Sequence, residues 1–321
     1  MARAKTKGRK KKSPKRKPAR KRTARTSQLL RIIAGLSILI FLVVTAGLLV
    51  HFLLQRSHPP LADKGRSGPK TEAPFEIYPV EDPLPTPPHQ EPAPPAHDRL
   101  PKVALIIDDV GNDRRLARKF IQLDNNLTIS ILPESPYTKH IAREARKNGL
   151  EIMLHQPMEP NEYPHVNPGP GVLLAAMSPD AIIDQLNANL DAIPEIKGVN
   201  NHMGSKMTAN APQMRQIFSV IKKRGLYFVD SRTTRESMCR MSAGLLQIPF
   251  AERDVFIDHR HNSAFIHRQL KELVRIARKQ GFAVGIAHPH RSTYEVLLET
   301  LPALKKRVEL VPVSQIVKIA S

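Results

Sequence analysis

Apolar and polar positions in the second half of the chain follow two different periods, and this pattern predicts an α/β fold. Short apolar runs predict parallel strands near 103–108, 127–132, 150–155, 198–202, 226–230, 255–258, 283–287 and 308–311. Apolar residues at helical spacing predict helices near 113–123, 136–148, 178–192, 211–224, 263–280 and 293–304. About seven β/α units then follow one another, which favours a barrel over an open sheet.

Several of these strands end on a side chain that can bind a metal or transfer a proton. Four apolar runs and a fifth, weaker one lead directly into Asp108 with Asp109, His155, Asp230, His288 and, after the weaker run, His202. The carboxyl ends of parallel strands share one rim, and in sheets and barrels of this kind that rim is the active site. The pattern therefore predicts a metal-dependent enzyme or a protein derived from one.

Two histidines and one carboxylate are the candidate metal ligands. Asp109, His155 and His202 together would form an open set with room for water, as in catalytic metal sites. Successive residues at a strand end point in different directions, so Asp108 is free to face the substrate as a base. The alternative is that Asp108 and Asp109 are turn or helix-capping residues.

Other polar residues are predicted to act as the acid or to support the site. His288 is placed to protonate a leaving group across from the metal. Asp230 is either a turn residue or a group that orients a catalytic histidine. The residues predicted to support the site or to bind substrate are Glu159, Asn201, Ser205, Asp230 and His290.

The positive charge of the chain is concentrated in its first residues. The net charge is +21, but residues 1–31 contain fifteen Lys and Arg and no acidic residue. A basic arm without aromatic residues for base stacking indicates a topology determinant that contacts anionic lipid, and no nucleic-acid partner is expected.

A long apolar segment follows the arm. Ile32 to Leu54 is 23 residues long and contains no Lys, Arg, Asp or Glu. As a helix it would measure about 34 Å, enough to cross a bilayer. The positive-inside rule keeps residues 1–31 in the cytoplasm and predicts a single-pass inner-membrane protein with its C-terminal domain in the periplasm of a bacterium.

Residues 55–100 are rich in proline and lack apolar periodicity, so they predict an extended linker before a domain at 101–321. The single cysteine, Cys239, cannot form an internal disulfide, and we expect it to be structural. The exported domain would therefore depend on its apolar core for stability.

Five motifs in this domain together resemble the divergent polysaccharide deacetylase family, a branch of the polysaccharide deacetylase superfamily. They are IIDDVG at 106–111, HQPMEP at 155–160, NNHMGS at 200–205, YFVDS at 227–231 and GIAHP at 285–289. The resemblance covers residues 101–317. It implies a distorted (β/α)7 barrel and a divalent metal, usually zinc, with which acetyl groups are removed from a glycan.

The resemblance also implies roles for particular residues. Asp108 corresponds to the base, Asp109 to a metal ligand and His288 to the general acid. The superfamily usually has a second histidine four residues after the one that matches His155, but Glu159 stands there. Either Glu159 or His202 fills this ligand position, and we favour His202. The arginine-containing motif that usually orients the base has no clear counterpart.

Three functions fit these features. The first is a membrane-anchored, metal-dependent deacetylase that acts on an envelope polysaccharide, with peptidoglycan the substrate that the topology favours. The second is a barrel that binds a cell-wall glycan or cell-wall protein without turnover. In the third, the barrel is a cargo domain displayed by the anchor.

Overall fold

The computed structural model describes Thr45 and residues 100–319, and the domain in the second range contains one mixed sheet. Its strands are β1 Lys102–Val110, β2 Thr128–Ile131, β3 Glu151–Met158, β4 Gly198–Met203, β5 Tyr227–Asp230, β6 Pro249–Glu252, β7 Val255–Phe256, β8 Phe282–Ala287, β9 Glu309–Leu310 and β10 Lys318–Ile319. Each predicted strand is present, within a few residues at its ends.

Helices occupy most of the connections between the strands. They are α1 Arg114–Ile121, α2 Thr138–Lys147, α3 Pro179–Ala192, α4 Ser205–Thr208, α5 Ala211–Lys223, α6 Cys239–Leu246, α7 Ser263–Gln280 and α8 Arg291–Leu304, with a 3₁₀ turn at Val313–Gln315. Side chains cap several starts, because Asp113, Ser178, Asn210 and Asn262 each accept a backbone N–H in the first turn. The sequence pattern did not predict the helices α4 and α6 or the strands β6 and β10.

The strand order shows that the sheet is curled. The order is β10, β6, β5, β4, β3, β2, β1, β8, β7, with β10 antiparallel to β6 and β9 paired with β1. Strands β6 and β7 lie at opposite edges of the parallel part, yet only Arg253 and Asp254 separate them. Arg253 donates its N–H to the Asp230 carbonyl and Asp254 donates to the Val284 carbonyl, both at 2.9 Å. The α/β prediction is confirmed, and the sheet forms a half-barrel whose edges are joined by the chain.

The two faces of the sheet bury different parts of the core. Val103, Leu105 and Ile107 of β1 belong to the larger apolar cluster, which includes the buried faces of the helices. Ala104 and Ile106 belong to a smaller cluster inside the curl, together with residues of the C-terminal segment such as Val311, Val313 and Ile316. The period of two along β1 therefore separates an outer apolar layer from an inner one.

The predicted membrane span at 32–54 lies outside the described residues except for Thr45. In the part of the chain that the structure describes, no helix is both long enough and apolar enough to cross a membrane. The basic arm at 1–31 and the proline-rich linker, apart from Leu100, are also outside this part. Their assignments stay predictions.

Gly198 is the position where the sheet tolerates no side chain. A Cβ on Gly198 would lie 2.1 Å from Cε2 of Tyr227, whose hydroxyl donates to Glu151 Oε1 at 2.8 Å. We expect Gly198→Ala to lower the free energy of unfolding by about 1–3 kcal/mol, as overpacked cores do. Urea unfolding of the purified protein measures this change.

A double-mutant cycle supplies the control. If the ring of Tyr227 causes the loss of stability, Gly198→Ala should lower the free energy of unfolding much less in a Tyr227→Ala background, where the space is open. An equal cost in both backgrounds would show that the close approach to Tyr227 is not the reason.

Candidate metal and acid–base site

Three side-chain donor atoms converge at the carboxyl ends of β1, β3 and β4. Oδ1 of Asp109 lies 3.0 Å from Nε2 of His155 and 2.8 Å from Nδ1 of His202. The two ring nitrogens are themselves 3.1 Å apart. The structure thus brings together the three residues that the sequence predicted as metal ligands.

The arrangement of these three atoms is better suited to binding a divalent cation than to hydrogen bonding among themselves. Oδ1 of Asp109 is buried and makes no hydrogen bond of acceptable geometry within the described residues, although both ring nitrogens are close. A carboxylate oxygen and two imidazole nitrogens are the donor set that zinc and similar ions take. A cation between them would use all three lone pairs and remove the orphaned acceptor.

An irregularity in β1 makes this arrangement possible. The pairing of β1 with β2 shifts register between Ile107 and Val110, and Asp109 has a left-handed φ of 53°. Nδ1 of His155 is 3.7 Å from Asp108 Oδ2, while its Nε2 is 3.0 Å from Asp109 Oδ1. Successive side chains of a regular strand face opposite sides, so the bulge allows both aspartates to approach one imidazole.

Asp108 is buried and hydrogen-bonded through both carboxylate oxygens. Nδ2 of Asn200 donates to Oδ1 at 2.8 Å and to Oδ2 at 2.9 Å. Burial raises the pKa of Asp108, and the nearby His155 and His288 only partly oppose this effect. A buried carboxylate with a raised pKa is suited to accept a proton.

His288 faces the same space from the end of β8. Its Nδ1 lies 2.9 Å from Asp258 Oδ1, and its Nε2 is 3.9 Å from Asp109 Oδ2. Burial opposes the charged ring, but the carboxylates of Asp258 and Asp109 outweigh it and raise the pKa of His288 to about 9. The side chain is therefore an imidazolium at neutral pH, with Nε2 toward the predicted ligands.

Asp258, His288 and His290 form a second group whose ligand atoms lie within 4.8 Å of one another. Oδ2 of Asp258 already accepts from the backbone N–H of His288 and from Thr293 Oγ1, both at 2.7 Å. His290 stacks on His261 with ring centroids 3.9 Å apart. Because both oxygens of Asp258 are in use, we interpret the group as a histidine oriented by a carboxylate.

Glu159 lies outside the converging donor set. Its Oε1 is 2.6 Å from Nζ of Lys206, and its Oε2 accepts the N–H of Ala175 at 2.6 Å. Its carbonyl also accepts the backbone N–H groups of Lys206 and Met207. Glu159 thus joins the loop after β3 to the start of α4, which is a supporting position.

Asn201 and Ser205 also hold loops at the rim. Asn201 accepts the N–H of Ser231 at 2.9 Å and donates to the carbonyl of Met203 at 2.8 Å. Oγ of Ser205 accepts the N–H of Asn161 at 3.0 Å. Both residues are buried and connect neighbouring rim loops.

Asp230 is hydrogen-bonded within its own loop. Its Oδ1 accepts the N–H of Arg232 at 2.7 Å, and its Oδ2 accepts the hydroxyl of Ser237 at 2.6 Å. Burial raises the pKa of Asp230. Of the two roles considered from the sequence, these contacts match the turn residue.

The sequence marks Asn200, in the NNHMGS motif, only as a possible hydrogen-bond donor, and it does not single out Asp258. Asn200 contacts the predicted base Asp108, and Asp258 contacts the predicted acid His288. Asp258 follows the short strand β7 and closes the segment predicted as a strand at 255–258. The rule that selected Asp108 and Asp230 would therefore have selected it. Asn200 has no such signal, because its partners lie far away in sequence.

A cavity of about 520 Å³ opens beside the loop that follows β1. It is lined by Asn112, Asp113, Arg114, Arg115, Arg118 and Tyr137. None of the predicted site residues lines it. The converging side chains instead lie at the rim, where about a fifth of the Asp109 side chain is exposed.

Fold and site together define an α/β half-barrel with a two-histidine, one-carboxylate donor set at its carboxyl rim. The chain belongs to the divergent polysaccharide deacetylase family, whose model matches residues 105–317. The family that the sequence motifs resemble is thus confirmed.

Relatives of the chain match about two thirds of its length. It is 30% identical to the uncharacterized protein YibQ of Escherichia coli strain K12 over 215 residues, which is 67% of each chain. It is 31% identical to an uncharacterized protein of Haemophilus influenzae over 210 residues, 65% of this chain and 74% of that one. The crystal structure of the uncharacterized protein ATU2773 from Agrobacterium tumefaciens C58 is similar, with a TM-score of 0.65, 29% identity and coverage of 70% of this chain and 92% of that one.

Replacing either ligand histidine should abolish tight metal binding. We expect the wild-type protein, loaded with zinc and desalted, to retain one equivalent. His155→Ala and His202→Ala should lower the affinity roughly 100-fold or more, because removing a ligand costs at least as much as removing its outer-shell partner. Elemental analysis and competition with a chelator measure both quantities.

His140→Ala is the matched control, since His140 lies on α2 and its contact is with Glu144. This variant should bind zinc like the wild type. Equal zinc retention in all four proteins would contradict the assignment of the donor set.

Proposed function

We propose that the protein is a metal-dependent deacetylase that removes N- or O-acetyl groups from an envelope polysaccharide. The convergence of Asp109, His155 and His202 within 3.1 Å supports this most directly. A buried base and a buried histidine acid flank the same three atoms. Membership of the divergent polysaccharide deacetylase family supports the substrate class.

The chain supplies a proton acceptor for the attack of water. A divalent cation held by the three ligands would act as a Lewis acid that activates water and polarises the acetyl carbonyl. Asp108 takes a proton from the attacking water while the oxygen of the water bonds to the carbonyl carbon. The carboxylate is kept in one orientation because both of its oxygens accept from Asn200.

His288 supplies the proton for the leaving group. Asp258 accepts from Nδ1 of the ring, and the raised pKa of His288 keeps a second proton on Nε2, which faces the site. As the carbonyl carbon loses its bond to nitrogen or oxygen, this proton passes to the departing amine or alcohol. The products are acetate and the deacetylated sugar.

The N-terminal region supports action on the cell envelope. The arm at 1–31 and the apolar segment Ile32 to Leu54 would anchor the chain in the inner membrane and hold the domain in the periplasm. The linker at 55–100 could extend roughly 140 Å from the membrane at about 3.1 Å per residue. Peptidoglycan lies within that reach.

Loss of the base should remove turnover and leave metal binding intact. We expect Asp108→Asn to reduce acetate release from acetylated oligosaccharides by roughly 100- to 10,000-fold, the contribution of a positioned base or acid. His288→Ala should have an effect of similar size. Both variants should still bind zinc.

Asp184→Asn is the control, because Asp184 is exposed on α3. It should leave acetate release unchanged. Zinc-loaded wild type that binds acetylated glycan but releases no acetate would favour the binding function over the enzyme.

The anchor requires a separate test of topology. Alkaline phosphatase is active only after export, so a fusion after Ser321 should be active in a bacterial host and a fusion after residue 31 should be inactive. Replacing the Lys and Arg of residues 1–31 with Ser or Gln should reduce the activity of the C-terminal fusion. The opposite pattern would overturn the proposed location.

A further inference from the structure

Asn200 on β4 occupies the centre of a buried polar network that joins this strand to β1, β2 and β3. Its side chain is inaccessible to solvent. Nδ2 donates to both oxygens of Asp108, while Oδ1 accepts from Ser130 Oγ at 2.6 Å and lies 2.8 Å from His155 Nδ1. One amide thus contacts both the proposed base and the first histidine ligand.

We propose that Asn200 is the positioning residue of this site, which holds Asp108 in place and determines which nitrogen of His155 faces the metal. The part that concerns Asp108 rests on the proposed function. The part that concerns His155 does not, because it requires only that the site binds a metal.

The surrounding groups fix the direction of the amide. The carboxylate of Asp108 only accepts hydrogen bonds, so the NH₂ end of Asn200 must face it. The amide oxygen then faces Ser130 and His155, and the hydroxyl of Ser130 donates to it. Reversing the amide would set its oxygen against a carboxylate in a buried space, where two unpaired acceptors are costly.

The same direction decides the tautomer of His155. Because Oδ1 of Asn200 is an acceptor, Nδ1 of His155 carries the proton. Nε2 is then the nitrogen left to bind a metal, and it points at Asp109 Oδ1 and His202 Nδ1. An outer-shell acceptor that orients a ligand histidine in this way also raises its basicity.

Asn200 also orients the base, a role for which the sequence motifs supply no clear residue. The resemblance implies an arginine that orients the base, and the chain lacks a clear counterpart. The amide of Asn200 supplies two hydrogen bonds to the same carboxylate without a charge. It therefore orients Asp108 without neutralising it.

Two substitutions of Asn200 separate its effect on His155 from its effect on Asp108. Asn200→Ala removes donor and acceptor, so zinc affinity should fall roughly 10- to 100-fold, as for lost outer-shell partners. Asn200→Asp keeps an acceptor for His155 but sets a carboxylate against Asp108. It should bind zinc within a few-fold of wild type while kcat for acetate release falls more than 10-fold.

A buried asparagine elsewhere in the domain controls for simple destabilisation. Asn189 donates to Gln156 Oε1 at 2.9 Å and to the Gly171 carbonyl at 2.7 Å, and it makes no described contact with the site. Asn189→Ala should lower the melting temperature about as much as Asn200→Ala and leave zinc affinity unchanged. Equal zinc affinities in these two variants would overturn the proposal.

Nitrogen NMR of the full-length protein labelled at histidine reads the tautomer directly. The zinc-loaded wild type should show His155 protonated at Nδ1 and bound to zinc through Nε2, and this signal should persist in Asn200→Asp and change in Asn200→Ala. A wild-type His155 protonated at Nε2 would refute the inference. If no acetate release is found in the wild type, the proposed reaction fails, yet the zinc and NMR results still decide the role of Asn200 toward His155.

Discussion

The curvature of the sheet is the constraint on which the site depends. Asp108 on β1 and Asn200 on β4 are separated in the sheet by β2 and β3. In a flat sheet three strand spacings would place them about 14 Å apart. Their side chains instead meet at 2.8 Å. Only a sheet that curls around its inner face can bring these residues into contact, and the short link at Arg253 and Asp254 enforces that curl.

The inner face of the curl changes character along the strands. Near the amino ends it carries apolar residues such as Ala104 and Ile106, and the segment with Val311 and Ile316 packs with them. The next residue of β1 that faces the inside of the curl is Asp108. Apolar packing at one end thus fixes the strands, and the rigid frame positions polar groups at the other. The strained backbone of Asp109 stands where these two regions meet, as expected when surrounding structure over-determines a functional residue.

Sequence reasoning picked out residues that the fold brings together where the relevant pattern is local. The residues Asp109, His155 and His202 each follow a recognisable apolar run, and parallel strands bring such ends together without further information. Asn200 could not be found in this way, because Asp108 is 92 residues away and Ser130 is 70 residues away. Its pairing depends on strand order and curl, which periodicity does not encode. The short strands β6 and β10 and the short helices α4 and α6 were missed for a related reason, since short elements are defined by tertiary packing more than by period.

Charge balance favours a cation at this site. Three carboxylates lie close together at the rim, those of the buried Asp108 and Asp258 and of the partly exposed Asp109, and poorly compensated charges in such surroundings are unfavourable. The imidazolium of His288 offsets one of them. The amide of Asn200 contributes hydrogen bonds and no charge. Two negative charges remain beside the Asp109 oxygen that lacks a hydrogen bond, and a divalent ion at the three converging donors would balance them.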